Sequence, residues 1–175
     1  MSELGDHEAI EPPAADAMVA RLDEILDDFA SAVADKSTVS DAVRIDRIAR
    51  LEKLRAATAA LQVAESVRFA QSQVAEQMAA DVHPEQIGRG VAEQIGLACR
   101  ISSATAARRL NTARALWFEL PDTYSRLVAG QLHERIAQTV VSETQHLNAE
   151  IRGHIDQQLN TAGMTRMGFK AAAAC

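Results

Sequence analysis

The sequence predicts an all-α protein in which a long N-terminal helical hairpin or arm is followed by a bundle of shorter helices. Hydrophobic residues make up 47% of the chain but aromatic residues only 3%, so the apolar content is mostly Ala, Leu, Val and Ile. Such a mixture favours helices over sheets. Apolar residues recur at helical spacing through an interval without Gly or Pro, from residue 14 to residue 83, and no strand-like alternation appears.

The N-terminal half divides into an acidic tail and two helices. Residues 1–13 form a predicted flexible tail, and residues 14–83 form the hairpin or arm. The first helix is marked by a stripe of apolar side chains: Met18, Leu22, Ile25, Phe29 and Val33. After a break at 35–41, a second helix is expected over about 41–81, some 60 Å long at the usual rise. We expect it to pack against the first helix over its N-terminal half. Its apolar stripe consists of Ile45, Ile48, Leu51, Leu54 and Leu61, continued less regularly by Val63, Val67, Val74 and Met78.

Residues 84–175 are predicted to form the bundle of short helices, after a linker at 81–90. The expected helices span about 90–99, 103–118, 121–129, 131–144, 147–161 and 165–174. Ser102 or Ser103, Pro121 and Asn148 are suitable helix starts, and Gly130 is a suitable stop. The terminal "FKAAAAC" is helix-forming and lacks a stop signal. It indicates either a chain truncated relative to a longer ancestor or a simple frayed end.

Charge is distributed unevenly along the chain. Residues 1–35 contain ten acidic groups and one basic group, a net −9, whereas the whole chain carries −6, so the remainder carries +3. A mildly basic body is compatible with nucleic-acid contact, and equally with an ordinary solvated surface. The two cysteines, Cys99 and Cys175, are isolated. Together with the absence of a secretory signal and of a bilayer-length apolar run, they predict a cytoplasmic protein without membrane contact.

No catalytic, cofactor-binding or metal-binding residues are predicted. The chain has no glycine-rich phosphate loop, no nucleophile elbow and no Cys–His pairing. His146 and His154 lie eight residues apart, which differs from the usual helical zinc spacing. The basic run at 44–55, "RIDRIARLEKLR", is interpreted either as a phosphate-tracking helix or as a solvated face with internal ion pairs. We expect no cofactor and no small-molecule substrate.

The stretch "LACRISSATAARRLNTARALW" (97–117) is the strongest candidate for DNA recognition. A short polar break separates two helices, as in a helix-turn-helix, and arginines follow it. Against this interpretation, the turn contains Arg100 where glycine is usual, and Arg109 would lie on one choice of inward face. The alternative inward stripe, Ala106–Leu110–Ala113–Trp117, equally suits a packed helix. The candidate DNA-contacting residues are Arg100, Arg108, Arg109 and Arg114.

An ordered series of motifs resembles the actinobacterial 13E12 repeat proteins, grouped as domain of unknown function 222. The matching positions are Arg89-Gly90, Glu93, Leu97-Ala98, Arg100 and Ser102; Ala107-Arg108 and Leu110; Ala113-Arg114-Ala115-Leu116; Leu120-Pro121 and Thr123; and Leu127, Gly130 and Leu132. The resemblance extends over roughly residues 15–175. It implies the helical region that usually precedes an HNH endonuclease module, and this sequence has no HNH motif of its own. The resemblance supplies no catalytic residue.

Two functions of different classes follow. The first is a non-catalytic helical module of an HNH-associated, mobile-element or phage-related family, with DNA as its partner. The second is a helical interaction or oligomerisation module without a nucleic-acid role, which self-associates through the long 41–81 helix. A truncated remnant of a longer nuclease is a further alternative.

Overall fold

The structure, a computed structural model, describes residues 16–161, and every regular element in that range is helical. The seven α-helices found there are α1 (Ala17–Ala34), α2 (Asp41–Ala79), α3 (Val91–Cys99), α4 (Ser103–Phe118), α5 (Pro121–Val128), α6 (Glu134–Thr144) and α7 (Ala149–Thr161). The predicted all-α class, with one long helix before several short ones, is confirmed. The tail predicted at 1–13, the helix predicted at 165–174 and Cys175 lie outside the described residues.

The chain divides into two compact units, Met1–Asp41 and Ala42–Cys175. The described part of the first unit consists mainly of α1. Asp16 is the N-cap of this helix, and its carboxylate accepts a hydrogen bond of 2.7 Å from the Met18 N–H. No residue of α1 is buried. The predicted packing of the first helix on the second stays a prediction.

In the second unit, α2 contacts the short helices through small side chains. Its buried residues are Ala56, Ala60, Ala64, Val67 and Ala70. Ile45, Ile48, Leu51 and Leu54, the first part of the apolar stripe indicated by the sequence, are exposed and do not belong to this buried set. Burial begins only at Ala56, where α2 meets the other helices, and from there the buried positions of α2 are alanine apart from Val67.

Three contacts fix the middle of α2 on the segment from α5 to α6. Gly130 has φ +65°, and a Cβ placed on it would lie 3.0 Å from the carbonyl oxygen of Lys53, so this turn requires glycine for both its conformation and its proximity to α2. The Glu52 carboxylate lies 3.3 Å from Nε2 of His133. The Tyr124 hydroxyl donates to the Ala60 carbonyl over 3.1 Å, and burial raises the pKa of that phenol.

The C-terminal part of α2 holds the segment that leads into α3. Gln77 accepts a hydrogen bond from the Gly88 N–H (2.6 Å) and donates one to the Arg89 carbonyl (3.1 Å). The predicted linker at 81–90 contains a single 3-10 turn, Pro84–Gln86, which begins after His83. Since one amide side chain satisfies backbone groups of two successive residues just before α3, α2 helps to determine where α3 begins.

Apolar burial in the second unit forms two clusters. The larger joins α2, α4, α5, α6 and α7, and its buried members are Ala56, Ala60, Leu116, Leu120, Leu127, Leu132, Ala137, Val140 and Leu159. The smaller joins α2, α3 and α4, with Ala70, Val91 and Leu110 buried and Phe69 and Ile95 packed against them. The core is therefore aliphatic, as the composition predicts.

Two buried charged residues of α7 hold the corner between α4 and α5. Asp156, 1% exposed, accepts hydrogen bonds from the N–H groups of Asp122 (2.7 Å) and Thr123 (3.0 Å) and from the Thr123 hydroxyl. Leu120, at the N-cap of α5, makes no side-chain capping bond, so a carboxylate from another helix satisfies the first N–H groups of α5. One turn earlier, Arg152 pairs with Glu119 at the end of α4.

The helix boundaries agree closely with the predicted ones, with one exception. Helix α6 begins at Glu134 instead of 131, because Nδ1 of His133 accepts the Arg135 N–H over 3.0 Å and caps the helix there. Asn148 caps α7, as predicted, by accepting the Ile151 N–H over 2.9 Å. Histidine in the role of an N-cap explains the difference, since the usual capping residues are Ser, Thr, Asp and Asn.

Replacement of the buried carboxylate tests its role at the corner. We expect Asp156→Ala to lower the free energy of unfolding by about 2–3 kcal/mol, because three hydrogen bonds are lost and two N–H groups are left buried. Urea unfolding followed by circular dichroism measures this change. Gln158→Ala, an exposed position on the same helix, is the control and should change stability by less than about 0.5 kcal/mol. Equal effects of the two substitutions would contradict the assigned role.

Candidate nucleic-acid interface and adjoining cleft

Helices α3 and α4 are joined by the three residues Arg100, Ile101 and Ser102. The α3 helix ends with paired reverse hydrogen bonds, from the Arg100 N–H to the Leu97 carbonyl (3.2 Å) and from the Ile101 N–H to the Gly96 carbonyl (2.9 Å). This is the Schellman arrangement, in which the residue after the helix is left-handed. Arg100 occupies that position with φ +56°. The absence of glycine therefore does not prevent the turn.

Close packing of the two helices accompanies this turn. A Cβ on Gly96 would lie 3.0 Å from the Ile101 carbonyl oxygen and 3.6 Å from the Cβ of Ala106. The α4 helix begins after Ser102, whose hydroxyl accepts the Thr105 N–H over 3.2 Å. The segment 91–118 thus has a helix, a three-residue turn and a capped second helix, which is the element order of a helix-turn-helix and of an αα-hairpin in general.

The inward face of α4 is the apolar stripe that the sequence indicated. Ala106, Leu110 and Ala113 are buried, and Trp117 is half-buried. The Trp117 ring contacts Tyr124 at 5.4 Å between centroids and lies under the Arg68 guanidinium at 5.8 Å. Arg109 is exposed, so the objection that it would lie inside the helix pair does not apply.

All four predicted arginines are exposed, but they do not form one patch. Arg108 and Arg109 line a cleft that neither Arg100 nor Arg114 lines. On a helix with 100° per residue, Arg114 lies about 140° around α4 from Arg109 and about 120° from Arg108. Arg108 donates to the Thr105 hydroxyl over 3.2 Å. Within residues 16–161, none of the four guanidinium groups takes part in an ion pair.

The helix pair is locally basic. Residues 89–118 contain five arginines and one glutamate, a net charge of +4. The arginines are Arg89, Arg100, Arg108, Arg109 and Arg114, and the acid is Glu93. The outer surface at the start of α4 also carries exposed Ser103, Ala104 and Asn111. These side chains are short and are compatible with close approach to the edges of bases.

The cleft beside α4 was not anticipated from the sequence. It has a volume of about 710 Å³ and lies between α2, α3, α4 and α6. Its apolar wall includes members of both core clusters, Phe69 and Ile95 from the smaller and Leu116, Leu127 and Ala137 from the larger. The cleft is therefore the space between the two clusters, left open where several of the facing side chains are alanine.

The charged side chains of the cleft differ in their pairing. Glu65 is paired with Arg68 over 2.7 Å, and Glu134 accepts a hydrogen bond from Gln138 over 2.9 Å. Arg108 has the Thr105 hydroxyl as a neutral partner. Arg109 makes no hydrogen bond or ion pair among the described residues. Among the four charged side chains that line the cleft, Arg109 is thus the one without a partner in the described part of the chain.

Other candidate chemistry receives no support within the described chain. No three His, Cys, Asp or Glu side chains there are grouped so that they could hold a metal ion. His154 is exposed, and its Nδ1 lies 3.0 Å from the Glu150 carbonyl one turn earlier. Between residues 16 and 161, no helix has both the length and the apolar character needed to cross a membrane.

Sequence reasoning missed Asp156 and Arg152, whose spacing of four is the one usually read as an exposed pair on a single helix. A signal was present in the "LP-T" run at 120–123. Proline there predicts a helix start, and leucine before it cannot cap that start, so the first N–H groups of the helix need a hydrogen-bond acceptor from another part of the chain. Leu97 is 80% exposed, although the α3 sequence reads as an apolar run.

Comparison with known proteins identifies a family for this chain. No curated protein and no solved structure matches the chain significantly. The family model described as "Domain of unknown function (DUF222)" matches residues 48–172, which covers most of α2 and all of the short helices. The chain therefore belongs to the DUF222 family.

Proposed function

We propose that the protein is a non-catalytic DNA-binding module that contacts DNA through the α3–turn–α4 segment. The observation that carries this proposal is a helix–turn–helix order of elements that coincides with a net charge of +4 over residues 89–118 and with arginines that have no ion pair inside the described chain. Exposed guanidinium groups without an ion pair are available to phosphates, which supply most of the affinity in such contacts.

Arg100, Arg108 and Arg114 are the proposed contacts, and Arg109 contributes less. Arg100 lies in the turn, while Arg108 and Arg114 border the exposed side of α4 that carries Ala104 and Asn111. In a helix-turn-helix this side of the second helix faces the major groove. Arg109 lies toward the buried stripe, on the flank that lines the cleft, so its guanidinium is less suited to the same groove.

The conformation of Arg100 adds independent support. A left-handed backbone costs a residue with a side chain roughly 1–2 kcal/mol relative to glycine. An arginine that remains in such a position without an intramolecular partner is a reason to look for an external one. A nucleic-acid phosphate would supply the missing anion.

The association with a nuclease is the finer part of the proposal. The motif resemblance implies that such helical regions precede an HNH module, and a DNA-contacting helix pair would hold the substrate for it. The cytoplasmic location expected from the isolated cysteines is consistent with this role.

The first test measures the salt dependence of DNA binding. We expect the full chain to bind duplex DNA at 50 mM salt, measured by fluorescence anisotropy, and more weakly at 200 mM. Arg108→Ala combined with Arg114→Ala should lower the slope of log K against log salt by about 2, one for each lost phosphate contact. Arg109→Ala alone should reduce the steepness of this slope by clearly less than the ~0.9 that one full phosphate contact contributes.

A charge-matched control accompanies this test. Lys36→Ala combined with Arg135→Ala removes two exposed positive charges outside the helix pair and should leave the slope nearly unchanged. If the control and the α4 variant weaken binding equally, or if no binding is found at low salt, the DNA proposal is wrong.

The second test exploits the opposite effects expected at the turn. Arg100→Gly should raise the free energy of unfolding by about 1 kcal/mol, because glycine adopts φ +56° without strain. The same variant should bind DNA several-fold more weakly. Urea unfolding and anisotropy on one preparation measure both quantities. A variant that is more stable and binds DNA as tightly as the natural chain would exclude Arg100 from the interface.

A second candidate function is self-association through α2. Its first turns carry large exposed apolar side chains, with Ile45 67%, Ile48 60% and Leu51 52% exposed. An apolar surface of this kind on a helix is typical of an interface. Here the partner would be another copy of the same chain.

Light scattering coupled to size-exclusion chromatography tests this alternative. If α2 is the interface, the chain should have the mass of a dimer or larger assembly, and Ile48→Glu should shift it to the monomer mass of 18.9 kDa. Gln71→Glu places the same charge on an exposed part of α2 nearer the bundle and should leave the assembly intact. A monomer at all concentrations would exclude self-association.

A further inference from the structure

The proposed DNA contact does not explain the cleft between α2, α3, α4 and α6. Its volume, about 710 Å³, falls in the range of small-molecule sites. All of its lining residues lie within the second compact unit. We propose that this cleft binds a small amphipathic anion, an apolar body with one carboxylate or an equivalent head group, and that Arg109 pairs with the head group.

The apolar body of the ligand is indicated by the walls. Val63, Phe69, Ile95 and Leu116 line the cleft from three helices. The space between these walls exists because Ala59, Ala98, Ala113 and Ala137 stand where larger side chains would close it. An alkyl or aromatic group in this space would be removed from water on several sides, at about 25 cal/mol for each Å² of apolar surface buried.

The negative charge of the ligand is indicated by the pairing of the cleft's own charges. Glu65 is neutralised by Arg68, and Glu134 is bound by Gln138. Arg109 has no partner among the described residues, and Arg108 has only a hydroxyl. A carboxylate accepts two parallel hydrogen bonds from a guanidinium, and this geometry is the strongest recognition available to arginine. A cationic head group would instead meet two arginines against one carboxylate without a cationic partner, Glu134.

Amide and hydroxyl side chains complete the rim. Gln62, Gln94 and Thr112 line the cleft, and they can bind polar substituents beside the head group without adding charge. The Cys99 thiol is exposed and also lines the cleft. Its reaction with an alkylating reagent therefore reports occupancy of the cleft. Binding of a probe to the exposed apolar side chains of α1 or of the first turns of α2 would not be detected in this way.

The test uses two probes with the same chain and opposite charge, decanoate and decyltrimethylammonium. The protein is the full chain with Cys175→Ser, so that Cys99 is the only thiol. We expect decanoate to bind in calorimetry with a stoichiometry near one and to slow the alkylation of Cys99 by iodoacetamide several-fold. Decyltrimethylammonium should do neither at the same concentration.

Two variants locate the binding site. Arg109→Ala should weaken decanoate binding about tenfold or more, the loss expected for a charged hydrogen bond, and Ala59→Phe should abolish it by filling the cleft. Ala75→Phe, an exposed position on α2 outside the cleft, is the matched control and should bind normally. If Ala59→Phe does not fold, Arg109→Ala alone decides, since it removes only an exposed side chain.

Three results would overturn the proposal: unchanged Cys99 alkylation in the presence of decanoate, equal binding of both probes, or binding unaffected by Arg109→Ala. A cleft that binds an acidic amphipathic helix of another protein but not decanoate would also overturn it. No readout involves DNA, so this proposal and the proposed DNA contact succeed or fail separately.

Discussion

The buried carboxylate of Asp156 is the interaction on which the arrangement of the short helices depends. It replaces the missing cap of α5 with a charge from α7, while Arg152 one turn earlier holds the end of α4. Two residues of one helix thus fix both sides of the α4–α5 corner. Because α4 carries the candidate interface on one side and the cleft wall on another, the position of both surfaces follows from this corner. Buried charges remove alternative arrangements, since an unpaired one is costly.

Small residues provide the second constraint. Gly96 allows α3 to approach the start of α4, Gly130 allows the α5–α6 turn to reach Lys53, and the alanines of α2 allow the bundle to lie against it. Where other alanines of these helices face each other without such an approach, space remains between the helices, and that space is the cleft. A core of alanine and leucine with few aromatic residues therefore produces both close contacts and an open site. The rings of Trp117 and Tyr124 contact each other beside this core. The Arg68 guanidinium lies over the Trp117 ring, and the Tyr124 hydroxyl donates a hydrogen bond to the Ala60 carbonyl.

The extent of prediction from sequence differs between local and long-range features. Helix positions were predicted nearly to the residue, because caps and breaks such as Ser102, Pro121 and Asn148 act within one turn of the chain. The buried face of α2 was not predicted from the sequence. Periodicity identifies the apolar positions of a helix, but it does not show which of them pack against other helices. Ile48 and Ala60 look alike as apolar residues of a helix, and only the distance to the short helices separates them.

The candidate site shows the same division. The sequence argued against a tight turn at Arg100, because glycine is the usual residue at such a position. Two backbone hydrogen bonds at the end of α3 nevertheless stabilise the left-handed conformation of this arginine. The cleft could not be foreseen, because its walls come from residues separated by up to 79 positions, from Ala59 to Gln138.

Arg108 and Arg109 illustrate how neighbouring residues with the same charge can serve different surfaces. They are adjacent in sequence and both border the cleft, but 100° of helix rotation turns one toward the exposed side of α4 and the other toward its buried stripe. Arg108 shares the exposed surface with Asn111, whereas Arg109 lies beside the apolar wall of the cleft. Long-range attraction of anions depends on the summed charge of the helix pair, so both arginines support it equally. Their short-range geometry differs, and for that reason the two proposals give Arg108 to an extended phosphate backbone and Arg109 to a single head group in the cleft.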